Sequence, residues 1–447
     1  MSQKVMTLKQ SVLWNTWGST FYLGCQWLLT VLIARILGYK DAGVFSLAMS
    51  ITNIFYSFAI FGMRNFQISD MTDKYSDGTY IVSRCITGVV AFLGCVAFVL
   101  MNNYNTKQIS CIVVFMVFRL SEAFFDVLMG IYQKKWRMDY MGKSMTVRGV
   151  LMLISFITVM VVTKDLLMSI VCMTISVFAV VIFYDVQNSK RLVDISLNFE
   201  QKMLLTLLLE CMPLVIFSVI STSIGSVPRF FLEKYSGIEK LGIYASIAMP
   251  TLIVQMVATY IFNPMITVFA EKFAKHDKKG FIEAINKCVI AILAVSIVSI
   301  IGAKIFGNLG LRILYGKGIT KYEYLLLPLV MCAVFTAFTW LLSAILTVIR
   351  AFRGLVISNL LSLISCVLAS IIIIPRYGMQ GTTIAYLIGL LIGVLFLCIS
   401  MRNKMKEEEW LNEETKFSNI GNGLGIQKKE NDCEKDNEKI SNYSSIQ

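Results

Sequence analysis

LMLISFITVMVVT, residues 151–163, is followed after Lys164-Asp165 by LLMSIVCMTISVFAVVIFY, residues 166–184. A bilayer core about 30 Å thick takes roughly 20 consecutive, mostly apolar residues per helical span, so these runs read as two membrane crossings joined by a tight charged turn. Working outward, the same pattern places helices near 11–36, 42–62, 80–101, 109–132, 144–163, 166–186, 203–227, 240–266, 282–303, 323–349, 354–374 and 379–400. Two or three such stretches could arise by chance; a dozen could not. The expected fold class is an all-α polytopic membrane protein of about twelve transmembrane helices.

Composition agrees. Of 447 residues, 56% are hydrophobic and 15% charged, and the mean hydropathy is +0.70, outside the range of soluble domains. Ten of the eleven cysteines lie in apolar stretches and none forms a CxxC pair, so they read as small buried hydrophobes rather than disulfides or metal ligands. His276 is the single histidine, within Lys275-His276-Asp277-Lys278-Lys279, where it reads as a solvated loop residue. Neither a metal nor a cofactor is expected, and no nucleic acid partner. The start of the chain is polar with two lysines, and the apolar run that follows has polar residues within it and no small-residue cleavage site, so it is expected to be a retained helix and not a signal peptide. From Met401 the composition turns to mixed charge, with eight basic and ten acidic residues, and is expected to form a disordered tail over 401–447.

Basic residues in loops are retained on the cytoplasmic side. Lys134, Lys135, Arg137 and Lys143 in one loop, and Lys272, Lys275, Lys278, Lys279 and Lys287 in another, favour both termini inside. The chain before Met401 carries 33 basic and 18 acidic residues, and most of that excess is assigned to this topology, with the remainder free to serve an anionic substrate.

An internal repeat divides the chain. Gly38, Gly43, Val44 and Phe45 open the second helix, and Gly237, Gly242, Ile243 and Tyr244 open the eighth with the same pattern. Six crossings per unit is an even number, so two lobes, over 1–200 and 201–400, would be related by an axis along the membrane normal as parallel repeats are. Polar stripes fall on equivalent helices of both halves: Asn15, Ser19, Tyr22, Gln26 and Thr30 on the first; Ser46, Ser50, Asn53 and Ser57, ending at Arg64, on the second; Glu210, Ser218, Ser221 and Gly225 on the seventh; Thr251, Gln255, Thr259 and Asn263 on the eighth. Such stripes line a shared aqueous cavity or pack helices together. Arg119, Glu122 and Asp126 share one face of the fourth helix, and Arg148 stands near the start of the fifth. Charges at membrane depth must pair or face water, either as a structural cluster or as a proton relay or anion site. No phosphate-binding GxxxxGK[ST] loop, HExxH or GxSxG accompanies them, so ATP-driven transport by this chain alone is not expected, and the longest outside segment, about Lys304 to Tyr322, is too small for the site of a polysaccharide polymerase or ligase.

Over residues 1–400 the chain resembles the Wzx-like oligosaccharide-lipid flippases of bacterial surface polysaccharide synthesis, within the superfamily that also holds MATE multidrug exporters and the lipid II flippase. The likeness rests on Ser11 to Gly18, on Arg35-Ile36-Leu37-Gly38 running into Gly43, and on the run Gly62-Met63-Arg64-Asn65-Phe66-Gln67-Ile68-Ser69-Asp70. It rests also on Leu314-Tyr315-Gly316 and on Ile374-Pro375-Arg376-Tyr377-Gly378-Met379-Gln380-Gly381. The resemblance implies two six-helix lobes rocking about a cavity lined by helices one, two, seven and eight, in the bacterial inner membrane. It implies a polyprenyl-pyrophosphate-linked oligosaccharide as substrate, with a polysaccharide polymerase and chain-length machinery as partners. Arg64, Arg119 and Arg148 are the pyrophosphate candidates, Asn15, Gln26, Asn53, Gln255 and Asn263 the sugar candidates, and Glu122, Asp126 and Glu210 the coupling or gating candidates. A MATE-type cation antiporter is the rival. Between Gln10 and Phe66 the only acidic residue is Asp41, in a loop, which favours an anionic cargo.

Overall fold

The computed structural model describes residues 7–70, 74–193 and 200–407, which are almost wholly helical, with no strand among the described residues. Thr7 opens α1 (Leu8–Ile36) by a reciprocal capping box with Gln10. There follow α2 (Tyr39–Ile60), a short α3 (Met63–Ser69), α4 (Asp77–Met101), α5 (Thr106–Lys134) and α6 (Met138–Thr163). The Lys164-Asp165 break behaves as its chemistry requires. Lys164 adopts a left-handed conformation at φ 51° that ends α6, and Asp165 caps α7 (Leu166–Val180) by accepting from the Met168 amide at 2.8 Å. A π-helical stretch, Val181–Val186, leads into α8 (Gln187–Leu192).

The second half repeats the plan with α9 (Gln201–Ser236), α10 (Ile238–Ala248), α11 (Leu252–Phe262), α12 (Met265–Ala274), α13 (Lys278–Tyr315), α14 (Leu326–Val348) and α15 (Phe352–Glu407). Gly378, at φ 54° and ψ −123°, folds α15 back on itself, so its two arms are separate crossings and Pro375 to Gly378 is the turn between them. Among the described residues ten helices are long and apolar enough to span a membrane. The two further crossings are α5, which is not among those ten, and the second arm of α15. The expected twelve-helix fold is the observed one.

Several boundaries differ from expectation: α6 starts at Met138 instead of 144, α13 runs to Tyr315 instead of 303, and three more differ near the site or the tail. The second helix stops at Ile60, because Phe61 and Gly62 are both left-handed, and Arg64 stands on the separate α3. The seventh extends to Ser236 instead of 227, carrying Pro228 and Arg229 inside it. The last continues through Glu407, past the expected start of the polar tail at Met401; residues 408–447 lie outside the described residues.

The repeat has a structural meaning at the end of the bundle opposite the start of α1, here the distal end. Gly38 (φ 90°, ψ 177°) and Gly237 (φ 86°, ψ 164°) turn the chain identically into α2 and α10. These two helices then cross backbone to backbone. A Cβ on Gly43 would overlap the Ile238 carbonyl oxygen, and a Cβ on Gly242 would overlap that of Tyr39. Around this crossing, Arg35 donates to the Ile313 carbonyl at 2.7 Å and Gln108 to Glu233 at 3.0 Å, so the two halves meet tightly at the distal end. Val44, Leu47 and Phe115 share one buried core there with Leu241, Ile247 and Leu311.

Candidate functional site

The charges of the first half gather in two groups. Asp126 on α5 receives Arg84 of α4 at 2.9 Å and Arg64 of α3 at 3.5 Å; Arg64 also donates to Gln133 at 3.0 Å. Arg84 is 1% exposed and turns its other nitrogen to the Ala59 carbonyl at 2.8 Å, which is open because α2 ends one residue later. One helical turn toward the N-terminus of α5, Glu122 is satisfied on both oxygens. It accepts from Tyr22 at 2.8 Å and Gln26 at 3.1 Å on one side, and from Arg119 on the other. Arg119 bridges on to Asn53 of α2 and lies 5.3 Å from the Tyr56 ring centroid. The expected face of α5 therefore exists, with Asp126 serving Arg64 and Arg84 rather than Arg119 or Arg148.

Arg148 stands ten residues into α6 because that helix starts at Met138, and it is 1% exposed. Its guanidinium lies 4.3 Å from the Phe125 ring centroid and 5.7 Å from that of Tyr22, while Nε and Nη2 have no hydrogen-bond partner. Of the other candidates, Asn15 sits where α1 and α6 approach through Gly18 and Gly142, and Ser19 reaches the Met145 sulfur. The stripe on α1 is thus used within the first half. Asn263 is exposed at the end of α11, and Glu210 is exposed on α9, accepting from Lys74 at 2.6 Å and Tyr75 at 3.0 Å. The hydrogen bond to Glu210 raises the Lys74 ammonium above its ordinary pKa.

Between the halves lies a cavity of about 360 Å³, walled by α2, α9, α10, α11, α14 and both repeats' polar stripes. Asn53, Ser221, Gly225, Thr251 and Gln255 line it as the stripes predict. Helix α1 contributes no lining residue, contrary to the set of helices that the resemblance implies; α14 and Tyr386 of α15 take that side. A single charged side chain lines the cavity, Arg229 of α9, and it has neither ion pair nor hydrogen bond among the described residues. No carboxylate lines it.

The position of Arg229 follows from its sequence. Pro228 removes one backbone amide from α9 and leaves the Ile224 carbonyl open, and the Cys366 thiol of α15 donates to that oxygen at 3.6 Å. α9 and α15 are thereby pinned at the level where Arg229 enters the cavity. Arg84 and Arg229 were not singled out by sequence reading, and the signal was end placement. Helices expected to begin at 80 and end at 227 put both arginines near span ends, where basic residues anchor to headgroups; the observed helices run from Asp77 and to Ser236, which puts both well inside.

Comparison with known proteins gives the frame for this arrangement. The family described as "Polysaccharide biosynthesis protein" matches residues 8–273. The "Capsular polysaccharide biosynthesis protein CapF" of Staphylococcus aureus is 22% identical over 375 residues, 83% of this chain and 93% of that protein. The structure of the lipid II flippase MurJ in an inward closed conformation superposes with a TM-score of 0.70 at 15% identity, covering 88% of this chain and 87% of MurJ. An inward-facing MATE multidrug transporter gives 0.67 at 13% identity, covering 89% and 100%, and an outward-facing one gives 0.59 at 14%, covering 90% and 98%. The chain thus has the fold shared by MurJ and the MATE transporters, and it belongs to the family described as "Polysaccharide biosynthesis protein".

Proposed function

We propose that this protein translocates polyprenyl-pyrophosphate-linked oligosaccharide repeat units across the bacterial cytoplasmic membrane for surface polysaccharide synthesis. The observation that carries the reading is the cavity between the halves, with one free guanidinium and no carboxylate. A guanidinium offers a planar fork of donors that matches two phosphate oxygens and keeps its charge at any physiological pH. Asn53, Gln255, Thr336 and Trp340 on the surrounding walls provide the hydrogen-bonding and stacking surface that a sugar needs. A cavity for cationic drugs would carry a free acid. Glu122 and Asp126 of the first half are both occupied by arginines, and Glu233, one turn beyond Arg229 on α9, accepts from Gln108.

With both termini cytoplasmic, the tight distal contact is the periplasmic end, and substrate enters from the inside. The lobes 1–200 and 201–400 then part at the distal end to release it, by alternating access. Arg64, Arg119 and Arg148 act as supports of the first half, and membrane lipids, a polymerase and chain-length machinery are the partners in the cell.

The test is replacement of Arg229 in cells whose surface polysaccharide depends on this protein. Arg229→Ala is expected to lower export of repeat units at least about tenfold at unchanged abundance, with lipid-linked units accumulating inside, and Arg229→Lys to fall between, as loss of charge-assisted hydrogen bonds predicts. Full export by Arg229→Ala would refute the reading. Loss of efflux of cationic dyes in place of polysaccharide export would favour the antiporter.

A further inference from the structure

We propose that Glu233 is the release switch for an anion held at Arg229: the distal closure keeps its carboxylate on Gln108, and opening of that closure frees it to take Arg229 from the phosphate. This rests on the flippase reading and adds to it the step that empties the site.

Arg229 and Glu233 stand four residues apart on α9, and both lie past Pro228, where the helix runs on to Ser236. Positions i and i+4 share a helix face, with Cβ atoms about 5–6 Å apart, so a guanidinium and a carboxylate placed there can meet. Here they do not. Arg229 lines the cavity with neither ion pair nor hydrogen bond among the described residues. Glu233, half-buried, instead accepts from Gln108 of α5 at 3.0 Å.

Gln108 is fixed in that duty by the start of its own helix. Its side-chain oxygen accepts from the Asn105 amide at 2.9 Å, and its backbone amide donates to the Asn105 side chain at 2.9 Å, the capping box that opens α5. With the oxygen committed, the nitrogen of the same group is left for Glu233. The donor belongs to the first half and the acceptor to the second, so the bond lasts only while the distal end is closed.

When the halves part, Glu233 loses the one hydrogen bond it makes among the described residues. A half-buried carboxylate without a donor is costly, and its place adds to the cost: Glu233 lies in the last turn of α9, beside the negative end of the helix dipole. Lys107, next to Gln108, is paired with Asp41 and recedes with the first half. Lys234 adjoins Glu233 in sequence but leaves the helix on another face. Arg229, one turn back, is the cation on the same face. A carboxylate there occupies donors that held the phosphate and sets a like charge against it. Arginine preceding glutamate is the weaker order for such a pair, so the returning Gln108 can reclaim Glu233 and clear the site for the next substrate.

The experiment uses the full chain in lipid nanodiscs, with inorganic pyrophosphate as the probe. Gln108→Met removes the donor and so frees Glu233 without the opening; it is expected to weaken pyrophosphate binding about tenfold, and Glu233→Gln in the same chain to restore it. Should Gln108→Met not fold, Gln108→Glu keeps the capping acceptor and still removes the donor. In cells, Glu233→Gln alone keeps an acceptor for Gln108 and would be silent if Glu233 merely fastened the closure. It is expected to lower export several-fold at unchanged abundance and unweakened pyrophosphate binding. Pyrophosphate binding that needs Arg229 but is no stronger in the double variant than in Gln108→Met, or wild-type export by Glu233→Gln, would overturn the switch and leave the flippase reading standing. Pyrophosphate binding that does not need Arg229 would remove the anion site of that reading and the switch with it.

Discussion

The arginines of the two halves live under different rules. In the first half Arg84 and Arg119 are buried and paired with carboxylates, Arg64 is held by Asp126 and Gln133, and Arg148 is sealed between aromatic rings. In the second half Arg229 lines an open cavity and has no partner among the described residues. A buried ion pair adds little net stability, since desolvation offsets attraction, but its loss leaves a bare charge in an apolar interior. The same residue type therefore holds the bundle together in one place and is left available to a ligand in the other. Arg148 has no ion pair either, so pairing alone does not separate the two roles: rings enclose Arg148, whereas Arg229 faces open space in the cavity.

The largest expected effect breaks that separation if it fails to appear. Asp126→Ala strands Arg84, which is 1% exposed, together with Arg64. Removing one member of a buried pair costs about 3–5 kcal/mol, so the purified protein should lose thermal stability and its membrane abundance should fall several-fold. Arg84→Met in the same chain should recover much of the loss, because the stranded charge is then gone. If Asp126→Ala kept wild-type stability and abundance while export stopped, Asp126 would be a coupling group after all, and the first half would share the functional role of Arg229.

A middle-sized effect sharpens the comparison by probing what the halves have in common. Gly43 and Gly242 occupy equivalent places, and each accepts the other half's backbone where a Cβ would sit. Gly43→Ala and Gly242→Ala should each weaken the distal contact by about 1–3 kcal/mol, the usual cost of overpacking, and by similar amounts. Gly24→Ala, with open space around it, should do nothing. The readout is thiol labelling of Asn53→Cys in the cavity by a membrane-impermeant reagent applied from the distal side, with the exposed Cys85 and Cys398 and the cavity-lining Cys332 replaced. Labelling should rise several-fold in either alanine variant. A rise in one alone would mean that the contact is not the symmetric closure its geometry indicates.

How much of this the sequence carried depends on the range of the signal. Crossing number and the repeat were legible because hydropathy and glycine pattern are local: the left-handed turns at Gly38 and Gly237 need no knowledge of the rest of the chain. The stripes on α2, α9 and α11 were legible too, and Asn53, Ser221 and Gln255 do line the cavity. The stripe on α1 was misleading, since periodicity names a face without naming what it meets, and Tyr22 and Gln26 meet Glu122 inside the first half. Arg229 was hidden for a related reason. The helix was expected to end at 227, just before Pro228, whereas α9 continues past it to Ser236, with the Cys366 thiol donating to the freed Ile224 carbonyl.

The smallest expected effect concerns Glu210, which the polar stripe of the seventh helix marks as a gating candidate. Its carboxylate joins Lys74 and Tyr75 across the two halves at the end of the bundle where α1 starts, so it has the location of a latch. It does not have the energetics of one. Lys74 is 54% and Glu210 33% exposed at the side chain, and an ion pair open to solvent contributes about 0–1 kcal/mol, screened further by salt. Leu207, Cys211 and Val215 of the same helix pack beside it on Phe61, Met63 and Tyr80, and that buried contact carries the association there. Glu210→Gln keeps the shape and one acceptor for Tyr75, and should change export by less than about twofold, with unchanged abundance. Leu207→Ala, which opens a hole in the buried contact, should cost about 2–5 kcal/mol and lower abundance markedly. A Glu210→Gln protein that reached the membrane normally and did not export would place a working charge away from the cavity, and would limit the rule that transport is served by the charge facing open space there and the acid one turn from it.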